Sequence, residues 1–260
     1  MTAKKRKEQA QVLAQKQLAP GIYDCLLKTA LAKDAKPGQF IALYPKDKST
    51  LLPRPISICE ADAQAETLRI VYRVAGAGTR EFSGLKEGDS VDILGVLGNG
   101  FPLDAVREDQ TAFLMGGGIG VPPILELAKR LHCRKQIIMG YRDADCFLKE
   151  DFEQNGEVFI ATEDGSAGTK GNVMDAIREN DLKADVIFAC GPLPMLRAIK
   201  KYAEEAGIDA YISLEERMAC GVGACLGCVC KTVKKDAHSH VNNARICTDG
   251  PVFEAKEVEI

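Results

Sequence analysis

Long apolar runs, an excess of one sign of charge, and histidine are all scarce in this chain of 260 residues. No run approaches the ~18 apolar residues of a transmembrane helix, so a helical membrane span is not expected. The lysine-rich start, MTAKKRKEQAQVLAQKQLAP, has no apolar stretch behind its positive charges. It therefore reads as no secretion signal, and a cytoplasmic protein is expected. The formal net charge is only -3, which argues against nucleic acid as the main partner. Of three histidines, His238 and His240 flank Ser239 in the polar stretch KKDAHSHVNNA and read as part of a solvated loop. Internal repeats and long low-complexity linkers are absent. What remains is an ordinary globular composition, 46% hydrophobic and 27% charged, with enough apolar residues for a sizeable core. The length suits one large domain or two ordinary ones with a small appendage.

Cysteine is the exception to this scarcity. Ten cysteines in a reducing compartment are poor candidates for structural disulfides. Cys25, Cys59, Cys133, Cys146 and Cys190 are scattered singly, and most suit the role of buried small hydrophobes. For Cys190 packing and a site role stay equally open. The other five fall within the last 41 residues.

The chain changes grammar twice. Residues 1–20 read as a polar tail, either a short helix or frayed. Over residues 21–105 the stretches IYDCLLKTAL, QFIALYP, PISICEA, TLRIVYRVA and DSVDILGV are strand candidates between PG, EGD and GNG turns, which predicts a small antiparallel barrel or sandwich. Over residues 106–214 strands alternate with helices. TAFLMGGGIG, QIIMGYR, EVFIATEDG, DVIFACGP and DAYISLEE are the strands. PPILELAKRLHC, DCFLKEDFEQN, GNVMDAIREN and LPMLRAIKKYAEEAG are the helices. Such alternation implies right-handed crossovers and a parallel sheet. Residues 215–260 have too few aliphatics for a core of their own, so a metal centre is expected to staple them.

Several strand ends carry ligand-type residues. GGGIGVPP, residues 116–123, lies between a strand and a helix, where glycines admit a pyrophosphate and the helix start offers free N–H groups. It is not G-x-G-x-x-G, because Val121 stands at the third glycine, so the plain Rossmann fingerprint is missing. CGPLPML, TEDGSAGTKG and GYR follow other strand ends, where open parallel sheets bind ligands. In the β-rich half, Arg54 of RPISI could hold a phosphate bidentately. Gly76, Gly78 and Thr79 of RVAGAGTREF could bring N–H groups and a hydroxyl to another.

Cys220, Cys225, Cys228 and Cys247 give C-x4-C-x2-C-x18-C. The first three spacings match the plant-type [2Fe–2S] pattern, in which four thiolates ligate two irons. A zinc ribbon usually shows two C-x2-C knuckles and this stretch has one. A thioredoxin-like dithiol wants a helix start, and Cys225 and Cys228 lie past the last helix. Iron–sulfur is the favoured reading, and Cys230 is a bystander.

RPISI, GAGT, LGNGF, GGGIGVPP, CGPLPML, SLEERMACGVGACLGC and CTDGPVF, taken together over residues 21–255, resemble the ferredoxin–NADP reductase superfamily. Within it they are similar to the electron-transfer subunits of NAD-dependent (class 1B) dihydroorotate dehydrogenases. The resemblance implies FAD on the barrel, NAD on the α/β domain and a [2Fe–2S] cluster in the tail. By motif, Arg54, Pro55, Ile56 and Ser57 would line the flavin, with Ser57 near its N5. Val71, Tyr72 and Arg73 would lie along it, and Gly78 and Thr79 at its pyrophosphate. Gly117, Gly118, Ile119, Gly120 and Val121, with Cys190, Gly191 and Pro192, would face the nicotinamide nucleotide. Cys220, Cys225, Cys228 and Cys247 would ligate the cluster.

The sequence departs from the superfamily at Ile56, where tyrosine is common, at Val96, where proline is common, and in a longer gap before Cys247. No orotate site is visible, so the resemblance implies a catalytic dihydroorotate dehydrogenase flavoprotein subunit as partner, in a heterotetramer. Arg142 favours a 2′-phosphate while Glu163 and Asp164 oppose one, so residues leave NAD and NADP open; the resemblance points to NAD. The same chemistry with another partner would suit a reductase subunit of a hydrogenase, sulfite reductase or ferredoxin–NADP transhydrogenase. A zinc- or cluster-bearing interaction module on a degenerate nucleotide fold is the reading outside enzymes.

Overall fold

Apolar alternation between turn residues builds the first half of the chain. The computed structural model describes residues 5–235 and 240–260. Its first strands are β1 (Arg6–Ala19), β2 (Ile22–Lys28), β3 (Phe40–Tyr44), β4 (Arg54–Asp62) and β5 (Thr67–Arg73). The short helix α1 (Ala77–Phe82) and β6 (Ser90–Leu97) follow. The strands close into an antiparallel barrel in the order β1-β2-β5-β4-β3-β6. Leu27, Ile41, Leu43, Ile58, Leu68, Ile70 and Ile93 fill its interior.

The expected polar tail is instead β1, which closes the barrel by pairing with β6 through Arg6–Gln11 and with β2 from Gln11 onward. Its buried positions are few, Ala10 and Val12. Gln15 is satisfied in place of an apolar residue: its amide N–H group donates to the carbonyls of Phe82 and Leu85 at 3.0 and 2.9 Å, and its oxygen accepts the Tyr72 hydroxyl at 2.9 Å. A lysine- and glutamine-rich strand of this kind shows almost no apolar period.

The second half alternates β7 (Thr111–Gly117), α2 (Pro122–Arg130), β8 (Arg134–Tyr141), α3 (Lys149–Glu153) and β9 (Glu157–Thr162). It continues with β10 (Thr169–Lys170), α4 (Val173–Glu179), β11 (Val186–Cys190), α5 (Leu193–Ala206) and β12 (Asp209–Ser213). After these come β13 (Val229–Thr232), β14 (Asn243–Arg245), β15 (Val252–Glu254) and β16 (Val258–Glu259). The large sheet runs β10-β9-β8-β7-β11-β12-β15, parallel except for β15. Ile124, Leu125 and Phe152 of α2 and α3 pack on one face, and Ile177, Leu196 and Ile199 of α4 and α5 on the other. Pro122 and Pro123 open α2, where a missing N–H costs little. The stretch DCFLKEDFEQN is helical only over α3, a single turn and a half shorter than its pattern suggests.

The C-terminal segment does not stand apart. β13, β14 and β16 form a small sheet, but β15 joins the large one beside β12. Cys228, Ile246, Cys247 and Val258 share a core with Phe40 and Leu97 of the barrel. Among the described residues no helix is long and apolar enough to cross a membrane.

Candidate cofactor cleft and thiolate centre

The barrel wall opens where β4 and β5 part. Their register runs from Ile58 opposite Ile70 to Asp62 opposite Thr67. Beyond Ile58, β4 follows β3, and beyond Ile70, β5 follows β2. Arg54, Pro55, Ile56 and Ser57 on one side and Val71, Tyr72 and Arg73 on the other thus border a cleft of about 260 Å³. Thr79 also lines it. Gly78 lies directly under Arg54: a Cβ there would sit 2.9 Å from Nε. That leaves a guanidinium held over the first turn of α1, a fitting cradle for an anionic group. The Thr79 hydroxyl is not free for a ligand in the expected way. It accepts the N–H groups of Ala75 and Gly76 at 2.8 and 3.1 Å, so these three groups are spent on the turn itself.

The nucleotide turn sits at the ends of β7 and β11, which pair as Cys190 opposite Gly116. Any side chain at Gly120 would overlap the Cys190 carbonyl. A Cβ at Gly117 would lie 2.5 Å from the Met195 Sδ and 3.0 Å from the Pro192 ring. Gly191 is packed between Met195 and the Gly117 nitrogen. The glycines therefore serve close backbone packing, while the outer side of Gly118 is open space. Val121 is fully buried at the start of α2, and of this turn only Ile119 reaches the cleft. The Cys190 side chain is buried. Burial first, then the charge of Glu215, pushes its thiol up, against a hydrogen bond with Ser213. Its backbone, not its sulfur, shapes the turn. At the next strand ends the Asp164 carboxylate accepts the Ser166 hydroxyl at 2.6 Å and its N–H at 2.9 Å, which holds its pKa below the usual range.

The four predicted thiols come together in two pairs. Cys220 contacts Cys225, and Cys228 is hydrogen-bonded to Cys247. Burial pushes Cys220 up, but the N–H groups of Val222, Cys225 and Ala224 and the Cys225 thiol bring it down to about 6. Cys247 is pushed up to about 11, by burial first and then by Cys228, while the Gly223 N–H opposes. The N–H groups of Val222 and Gly227 point at the Cys220 and Cys225 sulfurs, each at 3.4 Å. Among the described residues no three His, Cys, Asp or Glu side chains converge on a single ion position. Two thiol pairs with N–H groups aimed at sulfur form a donor set that fits two irons. Arg245 grips Asp249 through two bonds of 2.9 and 3.0 Å, clamping the turn that carries Cys247. Cys230 stands in β13 opposite Ala244. His240 is exposed, and His238 lies outside the described residues.

The motifs LGNGF and CTDGPVF, far apart in sequence, meet here. The Asn99 side chain donates to the carbonyls of Val252 and Asp249 at 2.7 and 3.1 Å and accepts the Val252 N–H at 3.0 Å. Sequence reasoning missed one wall of the cleft. Ser213, Leu214, Glu215, Glu216 and Met218 line it, with Pro251 from the turn beyond Cys247. The signal lay within SLEERMACG, where the acidic pair directly precedes the cysteine loop.

The barrel, the parallel sheet and the thiol-bearing tail define an oxidoreductase of the ferredoxin–NADP reductase fold. Residues 215–259 match the family model of the iron-sulfur cluster binding domain of dihydroorotate dehydrogenase B. The chain is 45% identical over 253 residues to the dihydroorotate dehydrogenase B (NAD(+)) electron transfer subunit of Lysinibacillus sphaericus (strain C3-41), covering 95% of this chain and 96% of that one. It is 43% identical over 263 residues to the protein of the same name from Bacillus velezensis, covering 98% and 100%. A solved NADH-dependent reduced ferredoxin-NADP oxidoreductase matches with a TM-score of 0.86 at 27% identity, over 96% of this chain and 89% of that one. A ferredoxin NADP+ reductase from Neisseria gonorrhoeae shares the fold at a TM-score of 0.64 and 16% identity, over 81% and 94%. The chain belongs to the family of dihydroorotate dehydrogenase B electron transfer subunits.

Proposed function

We propose that the chain takes electrons from a dihydroorotate-oxidising catalytic subunit and delivers them to NAD+, serving pyrimidine (UMP) biosynthesis in the cytoplasm. It would hold a [2Fe–2S] cluster on Cys220, Cys225, Cys228 and Cys247, and FAD in the cleft between β4 and β5. A [2Fe–2S] cluster moves one electron at a time, nicotinamide takes a hydride, and flavin exchanges electrons either way, so these groups together connect single-electron supply to hydride delivery.

The observation that carries this reading is that one cleft has walls from all three parts of the chain. Ser57 comes from the barrel, Ile119 from the nucleotide turn, and Met218, two residues before Cys220, from the thiol-bearing segment. Arg54 and Gly78 would hold the flavin pyrophosphate, with Ser57 and the backbone at Tyr72 beside its ring. Gly117, Gly118, Gly120, Gly191 and Pro192 would bring the backbone close to the dinucleotide. Cys190 would set the depth of that site from below. Asp164, fixed by Ser166 at the end of β9, would oppose a 2′-phosphate and favour NAD. The catalytic subunit completes a heterotetramer.

Cys225→Ala tests the route. With one thiolate gone, dihydroorotate-dependent NAD+ reduction by the assembled complex is expected to fall to background, and the NADH-reduced cluster EPR signal with it. NADH oxidation by an artificial acceptor should persist, because the cleft is intact. Unchanged partner-dependent turnover would refute the relay.

A further inference from the structure

Between β12 and Cys220 the chain lays Glu215 and Glu216 along the cleft, with Arg73 on the wall it shares with the barrel. Among the described residues no hydrogen bond or ion pair reaches the Glu215 carboxylate. Glu215 and Glu216 are both exposed, so they form an open wall of the cleft. This is an exposed carboxylate on a cofactor cleft, tied down by no hydrogen bond or ion pair among the described residues, with Arg73 as the nearby cation. Ser57 and Ile119 border the same cleft, so a nicotinamide ring that meets flavin there lies beside this wall.

The two forms of the dinucleotide differ in charge at that ring. It is cationic in NAD+ and neutral in NADH. Hydride delivery moves two electrons and one proton together: the N–H bond at reduced flavin breaks, a C–H bond forms on the ring, flavin is oxidised and NAD+ is reduced. The ring's positive charge disappears in the same step.

We propose that Glu215 tells the oxidised dinucleotide from the reduced one, attracting the cationic ring of NAD+ and losing that attraction once the hydride has arrived. Glu216 adds a weaker field of the same sign. NADH is then released from a wall that no longer favours it. The inference rests on the nicotinamide and flavin meeting in this cleft.

The test uses the full chain loaded with FAD and cluster. Two non-reacting pairs are measured by calorimetry: NAD+ with the oxidised protein, and NADH with the dithionite-reduced protein. Glu215→Gln is expected to weaken NAD+ roughly threefold to fivefold, the range of a partly exposed ion pair, and to leave NADH within about twofold of wild type. Glu215→Asp should restore most of the NAD+ affinity. Bound FAD and the cluster EPR signal confirm that each variant is folded. Equal weakening of both dinucleotides, or no change in either, overturns the role of Glu215 alone. Failure of the wild-type protein to bind either dinucleotide would instead overturn the proposed function, and the inference with it.

Discussion

Against the nucleotide sheet the barrel presents charge, and against the C-terminal segment it presents backbone. At the first junction Arg69 of β5, largely buried, bonds Asp24 at 2.9 Å and Glu60 at 2.8 Å within the barrel, then crosses to Asp151 of α3 at 3.1 Å. Lys129 of α2 reaches Glu60 at 2.5 Å, and the buried Glu126 accepts the Ala61 N–H of β4 at 3.1 Å. At the second junction a Cβ on Gly98 would lie 2.5 Å from the Pro251 ring and 2.8 Å from the Gly250 carbonyl. The Asn99 N–H donates to that same carbonyl at 2.6 Å. Charged side chains are long and can readjust. Apposed backbones have no slack. The first junction should therefore weaken by degrees, and the second should fail at once.

Gly98→Ala attacks the tighter junction and should have the largest effect. Gly98 has a φ of +74°, so alanine is strained there as well as crowded. A loss of about 3 kcal/mol or more is expected, seen as a marked fall in Tm and loss of the cluster EPR signal while barrel circular dichroism persists. Retention of both cluster and Tm would show that the second junction has slack. Arg69→Met attacks the first junction and leaves Asp24, Glu60 and Asp151 without their shared cation. A smaller loss, about 2–4 kcal/mol, is expected in chemical denaturation, with the cluster signal kept.

Glu126→Gln should have the smallest effect and the opposite sign. Burial raises the Glu126 carboxyl pKa, outweighing the Ala61 N–H and Arg130. Between the ordinary glutamate range and that raised value, the folded state keeps a proton that the unfolded chain releases, so stability falls as pH rises through the window. Glutamine removes this fall and still accepts the Ala61 N–H. Denaturation at pH 7 should show a gain of up to about 1 kcal/mol that disappears below the ordinary glutamate range. A gain that persists in acid would assign the effect to packing instead.

Legibility in the sequence followed burial. β3 and β5 were readable because Phe40, Ile41 and Leu43, or Leu68, Ile70 and Tyr72, alternate or cluster between turn residues. β1 was not, because Gln15 points inward and satisfies itself by donating to the Phe82 and Leu85 carbonyls and accepting the Tyr72 hydroxyl. β15 was hidden differently: the three residues after the DGP turn are too few to show a period, and β12 supplies their ladder partner. At the site, the thiol set was legible because ligand number and spacing are chemistry written directly in sequence. The residues of β4 and β5 expected by motif to line flavin do border one cleft. Glu215 and Glu216 carried only the weak signal of an acidic pair before a cysteine loop, which looks like any solvated stretch until β12 ends beside the cleft. Cys190 was ambiguous for the opposite reason. A lone cysteine at a strand end gives no hint of whether its sulfur or its carbonyl matters, and here Gly120 abuts the carbonyl.

The place of β15 bears on how the molecule is made. An edge strand of the large sheet is encoded after Cys247, so the ribosome delivers it only once the whole thiol loop has been synthesised. Domains tend to fold as they emerge, N-terminal first. Here the barrel can close early, but the large sheet stays one strand short until the residues beyond the thiol loop have emerged. A chain that stopped before Pro251 would lack both that strand and the proline that lines the cleft beside it. The sheet and the cleft therefore both wait on residues that follow the thiol loop.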